Sequence, residues 1–324
     1  MTPRRVLPVS LLAVSALALA ACASDSGDGA GGDASAPIVA STNVYASLAQ
    51  ALVGDATEVT AVIDDATQDP HAYEASARDR LAVQDADVVI MNGGGYDPFM
   101  DELVGEGADV ISAVEFSHDF PGNEGHEAEE DHDHEHAEGE GHEGHEHIEG
   151  LNEHVWYDPH TMISLVEAIT EEIEHELPDL VDPAVLEADR DALVGELEGI
   201  ETRLEDLAGS HEGEGVFLTE PIGGYLATTA GLEDVTPEGF AESVEEGQDV
   251  PPATLLAATR AIESGDVAVV LANAQTGGAE TERVIDAADA AGVPVVELGE
   301  LLGDGQTYVE WMTGNVDALE AALS

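Results

Sequence analysis

Short β-branched runs alternate with helix-length stretches in two separate parts of this sequence, a pattern that few folds accommodate. In the first part the spacing predicts strands over Ile38–Thr42, Glu58–Ile63, Asp87–Met91 and Asp109–Val114, separated by helices over Val44–Val53, Ala75–Gln84 and Pro98–Val104. In the second part it predicts strands over Val216–Thr219, Val267–Leu271 and Pro294–Leu298, with helices over Gly224–Ala230, Pro252–Glu263, Thr281–Ala291 and Tyr308–Leu323. Strands that each lead into a covering helix build a parallel sheet, so the fold class is α/β, with two lobes that are each a mostly parallel sheet flanked by helices. Asn92-Gly93-Gly94-Gly95 follows a strand but has neither the lysine of a phosphate loop nor the spacing of a dinucleotide fingerprint, and reads as a plain turn.

Two long helices separate these parts. Thr161–Leu177 carries Met162, Leu165, Ile169 and Ile173 on one face and is ended by Pro178. Pro183 opens the second, whose apolar positions Val185, Leu186, Leu193, Leu197, Ile200, Leu204 and Leu207 continue to about Ala208. A helix of that length is a strut rather than a hinge. The expected boundaries are therefore an N-terminal lobe over 37–180, a linking helix over 181–209 and a C-terminal lobe over 210–324.

Residues 1–21 read as an address. Arg4 and Arg5 precede an apolar run from Val6 to Leu19 that is too short to span a bilayer comfortably, and Leu19-Ala20-Ala21-Cys22 follows. This is the pattern of a lipoprotein signal, in which cleavage leaves Cys22 at the new N-terminus with its lipid. Cys22 is the sole cysteine, so structural disulfides and thiolate metal sites are excluded. The arginine pair leaves both the general and the twin-arginine export routes open. Residues 22–36 contain nothing larger than Ala among their apolar side chains apart from Cys22 and read as a flexible tether.

Charge narrows the function classes. Eight basic residues, all arginine, stand against 70 acidic ones, a formal net charge of −62. No basic face exists to bind phosphates, which excludes a nucleic-acid partner. Such an excess of carboxylate is tolerable where salt screens it, the composition of a halophilic protein.

Residues 117–150 break the alternation. Eight histidines, His118, His126, His132, His134, His136, His142, His145 and His147, are interleaved with Glu, Asp and Gly. The stretch has too little apolar surface to offset its ordering entropy, so it is expected to be disordered, and its imidazoles suit loose, multidentate metal capture.

Open α/β sheets hold ligands beyond the carboxyl ends of their strands. That rule selects His71, which follows the Glu58–Ile63 strand, Glu220, at the end of Val216–Thr219 and followed by Pro221, and Glu300, which follows Pro294–Leu298. His154 is the fourth candidate. It lies in Asn152-Glu153-His154-Val155-Trp156-Tyr157-Asp158-Pro159, between the histidine-rich tract and a helix-opening Asp-Pro pair, and could equally pack on Trp156.

Asp69-Pro70-His71-Ala72-Tyr73-Glu74, Ala86-Asp87-Val88-Val89-Ile90-Met91-Asn92-Gly93, His154-Val155-Trp156-Tyr157-Asp158-Pro159 and Asn273-Ala274-Gln275-Thr276, in that order, resemble the zinc- and manganese-specific solute-binding proteins of ABC importers, the ZnuA-like family. The resemblance covers nearly all of 37–324. It implies two α/β lobes joined by a rigid helix, one metal ion held between them, and a monomer anchored by lipid on the extracytoplasmic face of the membrane that passes its ion to the permease of an ABC transporter. It implies no catalysis. His71 and His154 match the family's first two ligands. Glu220 stands at the third, which is His in many zinc binders and Glu in manganese-type members. An acid near the last strand supplies the fourth, Glu300 in preference to Glu297. Two imidazoles and two carboxylates accept Zn²⁺ and suit Mn²⁺ better than three imidazoles would, while the histidine tract favours zinc. A surface adhesin and a secreted metallohydrolase are the competing readings.

Overall fold

The computed structural model describes residues 37–105, 109–123, 148 and 150–324. The expected signal, Cys22, the tether, and His126, His132, His134, His136, His142, His145 and His147 lie outside the described residues. Eight strands form two sheets in which every neighbouring pair is parallel. β1 (Ile38–Thr42), β2 (Thr60–Ile63), β3 (Val88–Met91) and β4 (Val110–Ser112) lie in the order β2-β1-β3-β4. β5 (Gly215–Leu218), β6 (Glu233–Asp234), β7 (Val267–Asn273) and β8 (Val295–Leu298) lie in the order β6-β5-β7-β8. The two orders are equivalent. Each sheet reverses its winding between its first and third strands, which opens a crevice at the carboxyl ends of β1 and β3 in one and of β5 and β7 in the other.

Ten helices cover these sheets among the described residues: α1 (Asn43–Val53), α2 (Ala77–Gln84), α3 (Pro98–Leu103), α4 (Pro159–Glu176), α5 (Pro183–His211), α6 (Gly224–Thr229), α7 (Phe240–Glu245), α8 (Pro252–Ser264), α9 (Ala279–Ala291) and α10 (Tyr308–Ala322). Proline at the first helical position opens α3, α4, α5 and α8, where its missing N–H costs nothing. Ser76 and Thr307 form capping boxes with Asp79 and Glu310.

Helix α5, at 29 residues about 43 Å long, buries Leu186, Leu193, Leu197, Ile200 and Leu204 along one stripe. It packs on α1, α4 and α10, and Arg203 ties it to Asp317 at 2.5 Å and Glu320 at 2.9 Å on α10. One apolar core consequently runs from Tyr45, Trp156 and Tyr157 through Leu197 and Ile200 to Leu218, Leu226 and Met312. The segment before α10 returns to the first sheet. Asn43 exchanges two hydrogen bonds with the backbone of Leu302 (3.0 and 2.9 Å), and the Tyr308 hydroxyl donates to the Trp156 carbonyl at 2.7 Å. The described residues accordingly cluster as a single compact unit.

The fold departs from the sequence expectation at three places. The strand expected over Asp109–Val114 stops at Ser112, because its neighbour β3 ends at Met91, the partner of Ser112; Ala113–Phe116 then turns in a 3-10 helix. The short strand β6 and the six-residue α7 are additions, too brief to show a hydrophobic period. Ser117–Asn123, the start of the histidine tract, is bend and turn structure with Ser117 buried, closed by Asn123 donating to the carbonyls of Glu115 and Ser117.

Candidate metal centre

Three carboxyl ends of strands in the second sheet and a loop of the first converge on one place. After β2 the chain runs to Asp69, whose carboxylate accepts the His71 N–H at 2.9 Å and starts a 3-10 turn over Pro70–Ala72. This holds His71 half-buried against the ring of Tyr96, edge to face, with centroids 4.9 Å apart. Tyr96 arrives through the Gly93-Gly94-Gly95 turn, all three glycines at positive φ. A side chain at Gly93 would meet the Ser112 hydroxyl at 2.2 Å. Asp97 closes the turn by accepting the N–H groups of Asn92 (2.7 Å) and Gly93 (2.9 Å). The turn read as plain therefore delivers a buried tyrosine to the centre.

His154 is fully buried, its ring 5.1 Å from that of Trp156 and 6.5 Å from that of His71. It both packs on the tryptophan and faces the other imidazole. Asn152 decides its orientation. The Asn152 amide nitrogen donates to the Pro221 carbonyl at 2.9 Å, so its oxygen is the atom that accepts from His154 N (3.1 Å) and His154 Nδ1 (2.8 Å). With the proton on Nδ1, Nε2 presents a lone pair, the form that binds metals.

The second sheet supplies the carboxylates. Glu220, two residues after β5, and Glu300, two residues after β8, are each 2% exposed. A single amide joins them: Asn273 Nδ2, at the end of β7, donates to Glu220 Oε2 and to Glu300 Oε1, both at 2.7 Å. Thr276 Oγ1 lies 2.6 Å from both oxygens of Glu220, and the Tyr96 hydroxyl donates to Glu300 Oε2 at 3.1 Å. Gln275 accepts from the Glu300 backbone N–H and donates to the Ala66 carbonyl at 2.7 Å in the loop that leads to His71. Glu297, by contrast, is an exposed residue of β8.

A third carboxylate, absent from the sequence reading, enters from α7. Glu245 Oε1 lies 3.5 Å from His154 Nε2, and donor atoms of His71, His154 and Glu245 all fall within 4.8 Å of one another. Burial, then the charges of Glu153, Glu220, Glu300 and Glu242, push Glu245 up to about 9. Burial is likewise the main cause that lifts Glu300 to about 7 and raises Glu220, against the hydrogen bonds that favour their charged forms. The ion pairs that Arg190 and Arg203 make with Glu187, Asp191, Asp317 and Glu320 lie elsewhere. Two imidazoles among buried carboxylates make a donor set for a divalent cation. His118 is not part of it. It stands exposed over Tyr225, 3.7 Å from Asp158.

The sequence profile of ZnuA, described as zinc-uptake complex component A, periplasmic, matches residues 38–322. The chain belongs to the ZnuA family. That family consists of solute-binding proteins, not enzymes. Among ZnuA relatives, the manganese-binding lipoprotein MntA of Halalkalibacterium halodurans is 26% identical over 322 residues, 97% of each chain. The zinc-binding lipoprotein AdcA of Streptococcus pneumoniae is 26% identical over 198 residues, which are 60% of this chain and 37% of AdcA. The periplasmic zinc-binding protein TroA from Treponema pallidum superposes with a TM-score of 0.68 at 19% identity, covering 89% of this chain and 98% of TroA. Among the described residues no helix is long and apolar enough to cross a membrane.

Asn152, Tyr96, Asn273, Gln275, Thr276 and Glu245 are the members of the centre to which the sequence reading gave no role. Asn273, Gln275 and Thr276 had a signal, the Asn-Ala-Gln-Thr run at the end of a strand. Glu245 had a fainter one: it follows Phe240, Ala241 and Val244, the apolar face of a one-turn helix, at a spacing that puts it on the same side.

Proposed function

We propose that this ZnuA-family chain is the extracytoplasmic receptor of an ABC importer, capturing Zn²⁺, with Mn²⁺ as the competing ion, through His71, His154, Glu220 and Glu300. The observation that carries the reading is the Asn273 amide shared by Glu220 and Glu300, which pairs two buried carboxylates beside two buried or half-buried imidazoles. Such a pair is costly without a cation and is the natural complement of one. Four protein ligands close a tetrahedral zinc sphere, which suits holding and release rather than activation of water.

The receptor is anchored through lipid on Cys22, acts as a monomer, and delivers its ion to the membrane permease; lobes over 37–180 and 210–324 flank the cleft, with 181–209 between them. The names of MntA and AdcA, both lipoproteins that bind a divalent metal, support this reading. The histidines of the tract serve as auxiliary donors that raise local metal concentration. Calorimetric titration of the metal-stripped full chain tests the assignment. One tight site is expected for Zn²⁺, retained when residues 124–147 are deleted. Loss of that site with the deletion would move the principal ligands into the tract and overturn the reading. Release of a Cys22→Ala variant from the membrane fraction checks the anchor.

A further inference from the structure

The lone pair of His154 Nε2 and a carboxylate oxygen of Glu245 face each other at 3.5 Å. Asn152 keeps the imidazole proton on the opposite nitrogen, so two atoms that can each ligate a metal are turned toward one point. That separation is longer than a good N–H···O bond. It is the separation of two donors on one ion: ligands each about 2.1 Å from a metal stand about 3.0 Å apart at a right angle and about 3.4 Å apart at the tetrahedral angle. His71 also has a donor atom within 4.8 Å of both.

The position of Glu245 is built by the fold. Phe240 is fully buried, its ring 5.2 Å from Phe217 on β5, and Ala241 is buried one residue on. Val250 is buried again after the turn at Gly247, whose φ is 63°. The chain is thus pinned on both sides of the loop. Glu242 and Glu246 face solvent while Glu245 points inward, its Oε1 buried and without a hydrogen-bond partner. A surface acid in a sequence of this composition would do the opposite.

We propose that Glu245 is a fifth protein donor to the captured ion, added to His71, His154, Glu220 and Glu300, and that it makes the site competent for Mn²⁺ as well as Zn²⁺. The inference rests on the four-ligand reading above. Zinc is satisfied by four donors in a tetrahedron, whereas manganese favours oxygen ligands and higher coordination numbers, so a third carboxylate benefits manganese more. Without Glu245 the site keeps its zinc set and loses an oxygen that manganese uses.

The test is competition titration of the full-length, metal-stripped protein and its Glu245→Gln and Glu245→Ala variants with Zn²⁺ and Mn²⁺, alongside visible spectra of the Co²⁺-loaded forms. The expected result is a Mn²⁺ affinity lowered at least about tenfold, with Zn²⁺ affinity changed less than about threefold. The Co²⁺ bands should change from the weak pattern of five- or six-coordination to the intense pattern of four-coordination. Equal losses for both metals with an unchanged Co²⁺ spectrum would make Glu245 structural. Tighter binding of both metals would make it an obstruction that must leave before the ion enters. Either outcome overturns the proposal. A parent protein that binds neither metal would instead defeat the four-ligand reading itself.

Discussion

The two sides of the centre are built on equivalent strand orders, yet they hold their donors by opposite physics. The first half of the chain offers imidazoles among aromatic rings, with Tyr96, Trp156 and the Asn152 amide fixing the two rings. The second half offers carboxylates, and crowds Glu220, Glu245 and Glu300 together so that each is lifted by burial before any other influence. Asn273 and Thr276 soften that repulsion without cancelling it. On the proposed reading the imidazole side is preformed, whereas the carboxylate side awaits its cation. Gln275 joins them, since its amide reaches both Glu300 and the loop before His71.

This contrast predicts opposite effects on the metal-free protein. Glu220→Gln and Glu300→Gln should each weaken Zn²⁺ binding beyond the roughly tenfold to hundredfold loss typical of residues that only support a ligand, while the metal-free melting temperature stays level or rises. His154→Ala should weaken binding as well but lower metal-free stability by about 2–4 kcal/mol, because it opens a cavity beside Trp156. Paired calorimetric and thermal melts measure both quantities. A fall in metal-free stability for the glutamine variants as large as that for His154→Ala would erase the distinction between the two sides.

The supporting amides sharpen the comparison with a smaller effect. Asn273→Ala leaves Glu220 and Glu300 without their common donor and should cost about tenfold to a hundredfold in affinity, and Asn273→Asp more, since it adds a carboxylate to the crowd. Asn152→Ala releases only one imidazole and should cost no more than about tenfold. Zn²⁺ titrations of the three variants give the ranking. If Asn152→Ala is the most damaging, the carboxylates are not the side that needs holding.

The smallest effect lies outside the centre, where the first half does use charge. His118 is held above its ordinary value, chiefly by its contact with Asp158, so its contribution is full below the unfolded value of 6.5 and is lost as pH rises through the folded one. Burial works to raise Asp158, but contacts from His118 and Thr161 prevail and leave it lowered; its contribution is present above 3.8 and is lost as pH falls through its folded value. The pair therefore stabilises most between these two values. Thermal melts of His118→Ala should differ from the parent at about pH 5.5 and converge with it at about pH 8.5. A difference independent of pH would show that His118 acts by packing on Tyr225 alone.

Much of this molecule was legible before any coordinates. Alternation in 38–114 and 216–323 determined two parallel α/β sheets, because burying one sheet face under a helix leaves a periodic trace in the residues themselves. Proline and acid pairs such as Asp158-Pro159 and Asp182-Pro183 marked the starts of α4 and α5, since caps are local chemistry. The strand-end rule also reached His71, Glu220 and Glu300. What the sequence could not decide was which of 70 acidic residues would be taken out of water. Glu300 is buried and Glu297 exposed three residues earlier, and Glu245 is turned inward while Glu242 and Glu246 are not. Those choices depend on where β5 and α7 place Phe217 against Phe240, and on a single Asn273 amide reaching acids 53 and 27 residues away. Contacts over such separations leave no period in the chain, and only the packed tertiary structure creates them.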